Sequence, residues 1–222
     1  DANTICPLCD SPLPLQLSEI LARRLDDAIT TGTPDPRPGN CLGLVATTQA
    51  CALVCTRHRF ETDLIPKALH SGWKLRVDFK DVERRLKHMK PIFDALIEDY
   101  NNAADGPRQR SVFWQKAHKN AVENSSKSQG IAGDLMSFKN VQPGYYGEQG
   151  IYVMNETFRR LFSIHPDSTY PLTPEQFAAF VLTPEAGVSL IMEDLEVTRE
   201  KAIETMYESS SYGVQMFPFD DI

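Results

Sequence analysis

Two short pairs of soft ligands stand near the N-terminus. Cys6-Pro7-Leu8-Cys9, followed by Asp10-Ser11-Pro12-Leu13-Pro14, has the form of a knuckle, a tight turn that aims two thiolates at one ion. Cys55-Thr56-Arg57-His58 has the complementary spacing, because residues three apart on a helix share a face. Together Cys6, Cys9, Cys55 and His58 supply three sulfurs and one nitrogen, the closed tetrahedral set of a structural zinc. The 45 residues between Cys9 and Cys55 exceed the spacing of short zinc fingers, so the metal would join the N-terminal knuckle to a distant helix. Another arrangement stays open. Cys51 and Cys55, four apart on an apolar helix, can be buried hydrophobes with His58 at the surface, and Cys51 shares the face of residues 55 and 58 and so rivals Cys55 as ligand. Burial does not account for Cys6 and Cys9, which lie in a Pro-rich stretch with little core to join.

Catalytic arrangements are not evident. There is no Gly-rich phosphate loop, no GxSxG elbow and no HExxH pair. His70, His88, His118 and His165 are scattered, and Glu193-Asp194 and Asp220-Asp221 read as helix-end and tail charges. A fully ligated zinc is also poorly suited to activating water. The sequence therefore predicts a protein that is not an enzyme. One further element invites a role, the turn Gln142-Pro143-Gly144-Tyr145-Tyr146-Gly147. Tyr145 and Tyr146 are candidate partner-binding residues; adjacent rings are expected to diverge, one packing in the core and one remaining exposed as an aromatic anchor.

The elements that must hold these groups are helical. Ser18 caps a helix over residues 19–30 with a stripe of Ile20, Leu21, Leu25 and Ile29. Gly32–Gly39, with three prolines, is a turn. A second helix is expected from Thr47 or Thr48 through Cys55 and His58, ending at or before Pro66. Asp78 caps an amphipathic run to Tyr100 that Pro91 should kink or split. Ser111 opens a short helix to about Asn120. Residues 124–150 read as a long loop with one helical turn at Asp134–Phe138. Thr173-Pro174-Glu175-Gln176 is a capping box, Thr183-Pro184-Glu185 repeats the device, and Thr198 caps the last helix. Sustained period-two alternation is absent; Leu75–Phe79 is at best one short strand. The fold class is mainly α, an irregular helical domain with an N-terminal zinc-stapled knuckle. Residues 1–222 read as a single domain, with residues 1–72 the zinc-stapled part and 73–222 the helical part.

Composition bounds the partners. The chain of 222 residues is 41% apolar and 24% charged, an ordinary folded balance. Its formal charge of −7 is uneven: residues 1–55 hold 3 Lys/Arg against 6 Asp/Glu, residues 56–139 hold 16 against 11, and residues 140–222 hold 4 against 13. The acidic total disfavours a protein whose task is neutralising phosphate, though Arg57, Arg59, Arg84, Arg85, Lys87 and Lys90 in the middle block offer a nucleic-acid alternative, with a tyrosine of the turn stacking on a base. Five cysteines, none after Cys55, fit a reduced intracellular setting better than a disulfide scaffold. No apolar run reaches the roughly 20 residues of a membrane helix. The chain opens on Asp1 without an initiator Met, which reads as a piece of a longer protein.

Taken in order, several short motifs resemble one family. These are the knuckle at Cys6–Cys9, the Cys55-x-x-His58 pair, Gly72-Trp73 with Val77-Asp78-Phe79, the Pro143-Gly-Tyr-Tyr-Gly147 turn, Val181-Leu-Thr-Pro-Glu185, and Leu190-Ile-Met-Glu-Asp-Leu195. Over about Cys6 to Tyr212 the chain resembles the domain of the fungal restriction of telomere capping protein 4 family. Lys74, and Glu148-Gln149, depart from that family's pattern of Pro and Pro-Arg. The resemblance implies a fungal source, a location in nucleus and cytoplasm, and a genetic association with telomere capping that brings no activity with it. The sequence as a whole reads as a metal-binding module for protein–protein interaction, with structural zinc as its cofactor and an unidentified protein as its partner.

Overall fold

The computed structural model describes residues 5–101, 103–124 and 142–219. The helical turn expected at Asp134–Phe138 lies outside the described residues. Among those described, the regular structure is helical apart from one two-stranded ribbon, so the fold is mainly α. The chain divides into two compact units, Asp1–Ser71 and Gly72–Ile222.

In the N-terminal unit, α1 spans Glu19–Thr31, and the Ser18 hydroxyl accepts from the Leu21 amide at 3.1 Å as the expected cap. Its core stripe is Leu21, Leu25 and Ala28; Ile20 and Ile29, expected in the stripe, are exposed. The chain then pairs β1, Thr33–Pro34, with β2, Leu44–Val45, around the Pro-rich turn. Thr47 caps α2, Thr48–Arg59, which packs against α1. The helix does not stop before Pro66. It widens into a π turn over Phe60–Leu64, with the Ile65 amide bonded to the Phe60 carbonyl, and continues as α3, Ile65–His70. The wide turn makes room for the proline ring, which in α geometry meets the carbonyl four residues back.

In the C-terminal unit Asp78 caps α4, Phe79–His88, accepting from Lys80 at 3.0 Å and Asp81 at 3.4 Å, and Pro91 sits in the first turn of a separate α5, Lys90–Glu98. Leu75–Phe79 forms no strand. A single turn, α6 (Pro107–Arg110), precedes α7, Val112–Asn124, whose Trp114 amide is capped by Ser111. Part of the expected loop to Gly150 is helical: a 3₁₀ turn, Gly144–Tyr146, leads directly into α8, Gly147–Leu161. After the short α9, Pro166–Thr169, the capping box at Thr173 forms with both its bonds and opens α10, Pro174–Phe177. Thr183-Pro184-Glu185 does not start a new helix. As at Pro66, a π turn, Ala178–Leu182, carries α10 without a break into α11, Thr183–Leu195. Residues 183–188 of α11 are all buried, so it is the central rod of this unit. Thr198 caps α12, Arg199–Met216, which packs on α11 and on the Gly144–Tyr146 turn.

Candidate metal centre and a buried carboxylate hub

The knuckle is built before any metal is considered. The Cys6 amide bonds the Ser11 carbonyl at 2.9 Å, the Asp10 amide bonds the Cys6 carbonyl at 3.1 Å, and Asp10 takes the left-handed conformation (φ 58°) that closes so tight a turn. The Pro-rich turn clamps it from outside: Asn40 donates to the Cys6 carbonyl at 3.0 Å, Arg37 to the Pro7 carbonyl at 2.7 Å, and the Leu44 amide to the same carbonyl at 2.9 Å. The sulfurs of Cys6 and Cys9 thereby face α2. Cys55 projects from that helix, and the sulfur atoms of Cys6, Cys9 and Cys55 lie within 4.8 Å of one another, a group that could hold a metal ion.

His58, one turn beyond Cys55, is 1% exposed and sets its Nδ1 3.5 Å from the Cys9 sulfur. Its Nε2 is 2.6 Å from the Pro12 carbonyl. A carbonyl only accepts, so Nε2 carries a proton toward Pro12, while Nδ1 lies beside the Cys9 sulfur and outside the group of three sulfurs that are within 4.8 Å of one another. Cys51, the rival ligand, is outside the group; its thiol approaches the Ala46 carbonyl at 3.8 Å. Burial pushes the Cys6 thiol up, and pushes Cys55 up to about 12 with added repulsion from Cys9 and Cys6. Burial acts the same way at Cys9 but is outweighed by hydrogen bonds from Ser11, Cys6 and His58, which bring it down to about 7. Three sulfurs this close resist sharing negative charge, and a bound cation would relieve that repulsion.

A second polar cluster sits in the C-terminal unit, centred on Asp194, which reads from its position as no more than a helix-end charge. The Asp194 side chain is 4% exposed. Its carboxylate accepts from the Tyr145 hydroxyl at 2.8 Å, from the Tyr146 hydroxyl, from Arg85 at 2.9 Å and from Lys74 at 3.1 Å. Arg85 also donates to Glu193 at 2.9 Å and to the Leu190 carbonyl at 3.0 Å, so it ties α4 to the end of α11. Burial alone would raise the Asp194 carboxyl; the two phenols, then Arg85 and Lys74, outweigh it and hold the group below the usual carboxylate range. Burial, with the neighbouring carboxylate, holds both phenols well above their ordinary value.

The expectation of one exposed tyrosine is therefore corrected. Tyr145 and Tyr146 are 0% and 1% exposed, and their rings lie 4.9 Å apart at 32°. They do not diverge, because both hydroxyls converge on one carboxylate. Gly144 (φ 65°) and Gly147 (φ 63°) supply backbone angles that other residues resist, as the turn required. Neither ring is available as a surface anchor. Two further buried charges also escaped sequence reasoning. Arg108 donates to the carbonyls of Leu96, Ile97 and Ser168 and lies 4.5 Å over the Trp114 ring, while Glu185 takes a bidentate pair from Arg199 at 2.7 Å and a bond from Ser111 at 2.6 Å. Only the Ser111 cap hinted at either.

Five of the six cations named for phosphate contact are ion-paired. Arg57 pairs with Glu61, Arg84 with Asp81, Arg85 with Glu193 and Asp194, Lys87 with Glu83 and Lys90 with Asp94. Of the six cations named for phosphate contact, only the exposed Arg59 has no such pair among the described residues. Arg57 and Arg59 moreover belong to the N-terminal unit and the other four to the C-terminal one.

The molecule is thus a mainly helical protein that joins a thiol-imidazole cluster at one end of its chain to a helical unit pinned by a buried carboxylate. Residues 106–218 match the family model of the RTC4-like domain, and the chain belongs to that family. The match takes in both tyrosines, Asp194 and Glu185, and leaves the cysteine cluster outside it. No curated protein and no solved structure matches the chain.

Proposed function

We propose that the chain is a non-enzymatic interaction module whose N-terminal unit is held together by one structural zinc on Cys6, Cys9, Cys55 and His58. The observation that carries this is the distance between the Cys9 sulfur and His58 Nδ1. Zinc takes sulfur at about 2.3 Å and nitrogen at about 2.0–2.1 Å, so two such ligands on a tetrahedron stand about 3.6 Å apart; the pair here is 3.5 Å apart. The Pro12 carbonyl on the far nitrogen supplies the outer contact that fixes a ligating imidazole. When bound, zinc would offset the charge of the three thiolates and fasten the knuckle to α2. Four protein ligands leave no position for water, which supports a structural role over a catalytic one.

Family membership and the motifs that carry the resemblance support a fungal protein of nucleus and cytoplasm with a telomere-linked role, acting through a protein partner. The pairing of the basic block weighs against the nucleic-acid alternative. Elemental analysis of purified protein tests the metal directly: one zinc per chain is expected, lost in Cys9→Ser, whereas protein without stoichiometric zinc, or a Cys51→Ser variant that loses it while Cys55→Ser does not, would refute the assignment.

A further inference from the structure

Beside its core stripe α1 carries a further apolar edge that begins at Leu25 and runs out to the exposed Ile29. Leu25 and Ile29 of that helix, with Leu13 and Leu17 from the chain after the knuckle and Leu42 and Leu44 from the Pro-rich turn, line a groove of about 470 Å³. That volume lies in the range of about 300–1,000 Å³ occupied by ligand pockets. Its rim side chains are open to solvent: Ile29 is 56% exposed, Leu42 47% and Leu17 38%. One charged residue lines it, Asp26, at the helical spacing that sets it beside Ala22 and Ile29 on the same face. Among the described residues no cation pairs with Asp26.

Those features select an occupant. No lysine or arginine lines the groove, so an anionic headgroup or phosphate finds no countercharge there. A wholly apolar ligand would bury Asp26 against hydrocarbon and leave its carboxylate without a partner. We propose that the groove docks a short peptide segment of a partner protein, one that brings apolar anchor side chains and a lysine or arginine set against Asp26. The inference rests on reading the N-terminal unit as an interaction module and names the surface that does the work. The knuckle shapes that surface, since Leu44 is hydrogen-bonded to Pro7, and Asn40 to Cys6.

The test pans the full chain against a random twelve-residue peptide display library and measures the enriched peptides by fluorescence polarisation. Expected are sequences with apolar positions beside a Lys or Arg, weakened on the order of tenfold or more by Leu42→Glu, and independently by Ile29→Glu on the opposite wall. Asp26→Lys should weaken the same peptides at low salt, and exchanging their basic residue for Glu should restore binding to that variant. All three positions are exposed, and melting curves verify that each variant folds. Failure to enrich any peptide would overturn the inference, as would peptides indifferent to Leu42→Glu and Ile29→Glu, or peptides that ignore the charge at residue 26. A dimer of the wild type that Leu42→Glu splits would give the groove to a second copy and overturn it too. Zinc is measured on the same samples: peptide binding without zinc removes only the metal assignment, and zinc without peptide binding removes only the groove.

Discussion

Asp194→Ala should be among the most damaging single substitutions in the C-terminal unit. It removes the common acceptor of the Tyr145 and Tyr146 hydroxyls, which are 0% and 1% exposed. A buried donor left without a partner costs about 1–3 kcal/mol, so the two phenols together lose about 2–6 kcal/mol. Arg85 loses less, because Glu193 and the Leu190 carbonyl still hold it. A total of at least about 2–6 kcal/mol follows, measured by urea unfolding followed by circular dichroism. Replacing the hub as a set, with Asp194→Leu, Tyr145→Phe and Tyr146→Phe together, should cost less than Asp194→Ala alone, since the two buried phenol donors go with their acceptor and only Arg85 Nη1 and Lys74 lose a partner. The pH dependence has a definite sign. A carboxyl held below its usual range in the folded state contributes stability above the unfolded value of about 3.9, and that contribution is lost as pH falls from there through the folded value. Wild type should therefore lose stability in acid more steeply than Asp194→Asn. A cost below about 1 kcal/mol for Asp194→Ala, or acid profiles of equal slope, would show that the hub does not hold the unit together.

Phe158→Ala and Ile191→Ala empty fully buried sites and should each cost about 2–5 kcal/mol by the same unfolding measurement. Gly213→Ala should destabilise despite the better helix propensity of alanine, because the new carbon would lie 2.2 Å from the Gly144 carbonyl oxygen; a melting temperature at or above that of wild type would contradict this contact. Cys6→Ser, or treatment with a strong chelator, should lower the melting temperature of the N-terminal unit and leave the helices beyond residue 72 folded, which calorimetry reads as a transition moved to lower temperature while the other stays in place.

Helix starts were legible because capping is local chemistry. Ser18, Thr47, Asp78, Ser111, Thr173 and Thr198 all cap as their types and positions suggested. The grouping of Cys6, Cys9 and Cys55 was legible for the same reason, although preferring Cys55 to Cys51 needed the angular position of α2 about the knuckle. Helix ends at proline were misread, since Pro66 and Pro184 are accommodated by π turns that leave no mark in the hydrophobic period. The buried face of α12 was also hidden. Besides Met206 and Tyr212 it consists of small and hydroxylated residues, Ala202, Thr205, Ser209, Ser210 and Gly213, which form no apolar stripe, and the serines satisfy themselves on carbonyls four residues back. Asp194 could not be distinguished from its exposed neighbour Glu193, because burial there depends on two tyrosines some fifty positions away.

The two π turns make helix register a matter of single residues. Each turn in this chain is followed two positions later by a proline, Pro66 after Phe60–Leu64 and Pro184 after Ala178–Leu182. Deleting one residue from the α segment beyond such a turn, Gly187 for instance, would rotate everything downstream by about 100° about the helix axis. Asp194 would leave the two phenols, whereas a residue removed from within the wide turn, Ala179 for instance, would tighten it to α geometry and keep the register while crowding the proline ring. The loops of this fold can gain or lose residues at little cost, whereas its two proline-bearing helical runs can change length without losing register only within the wide turn.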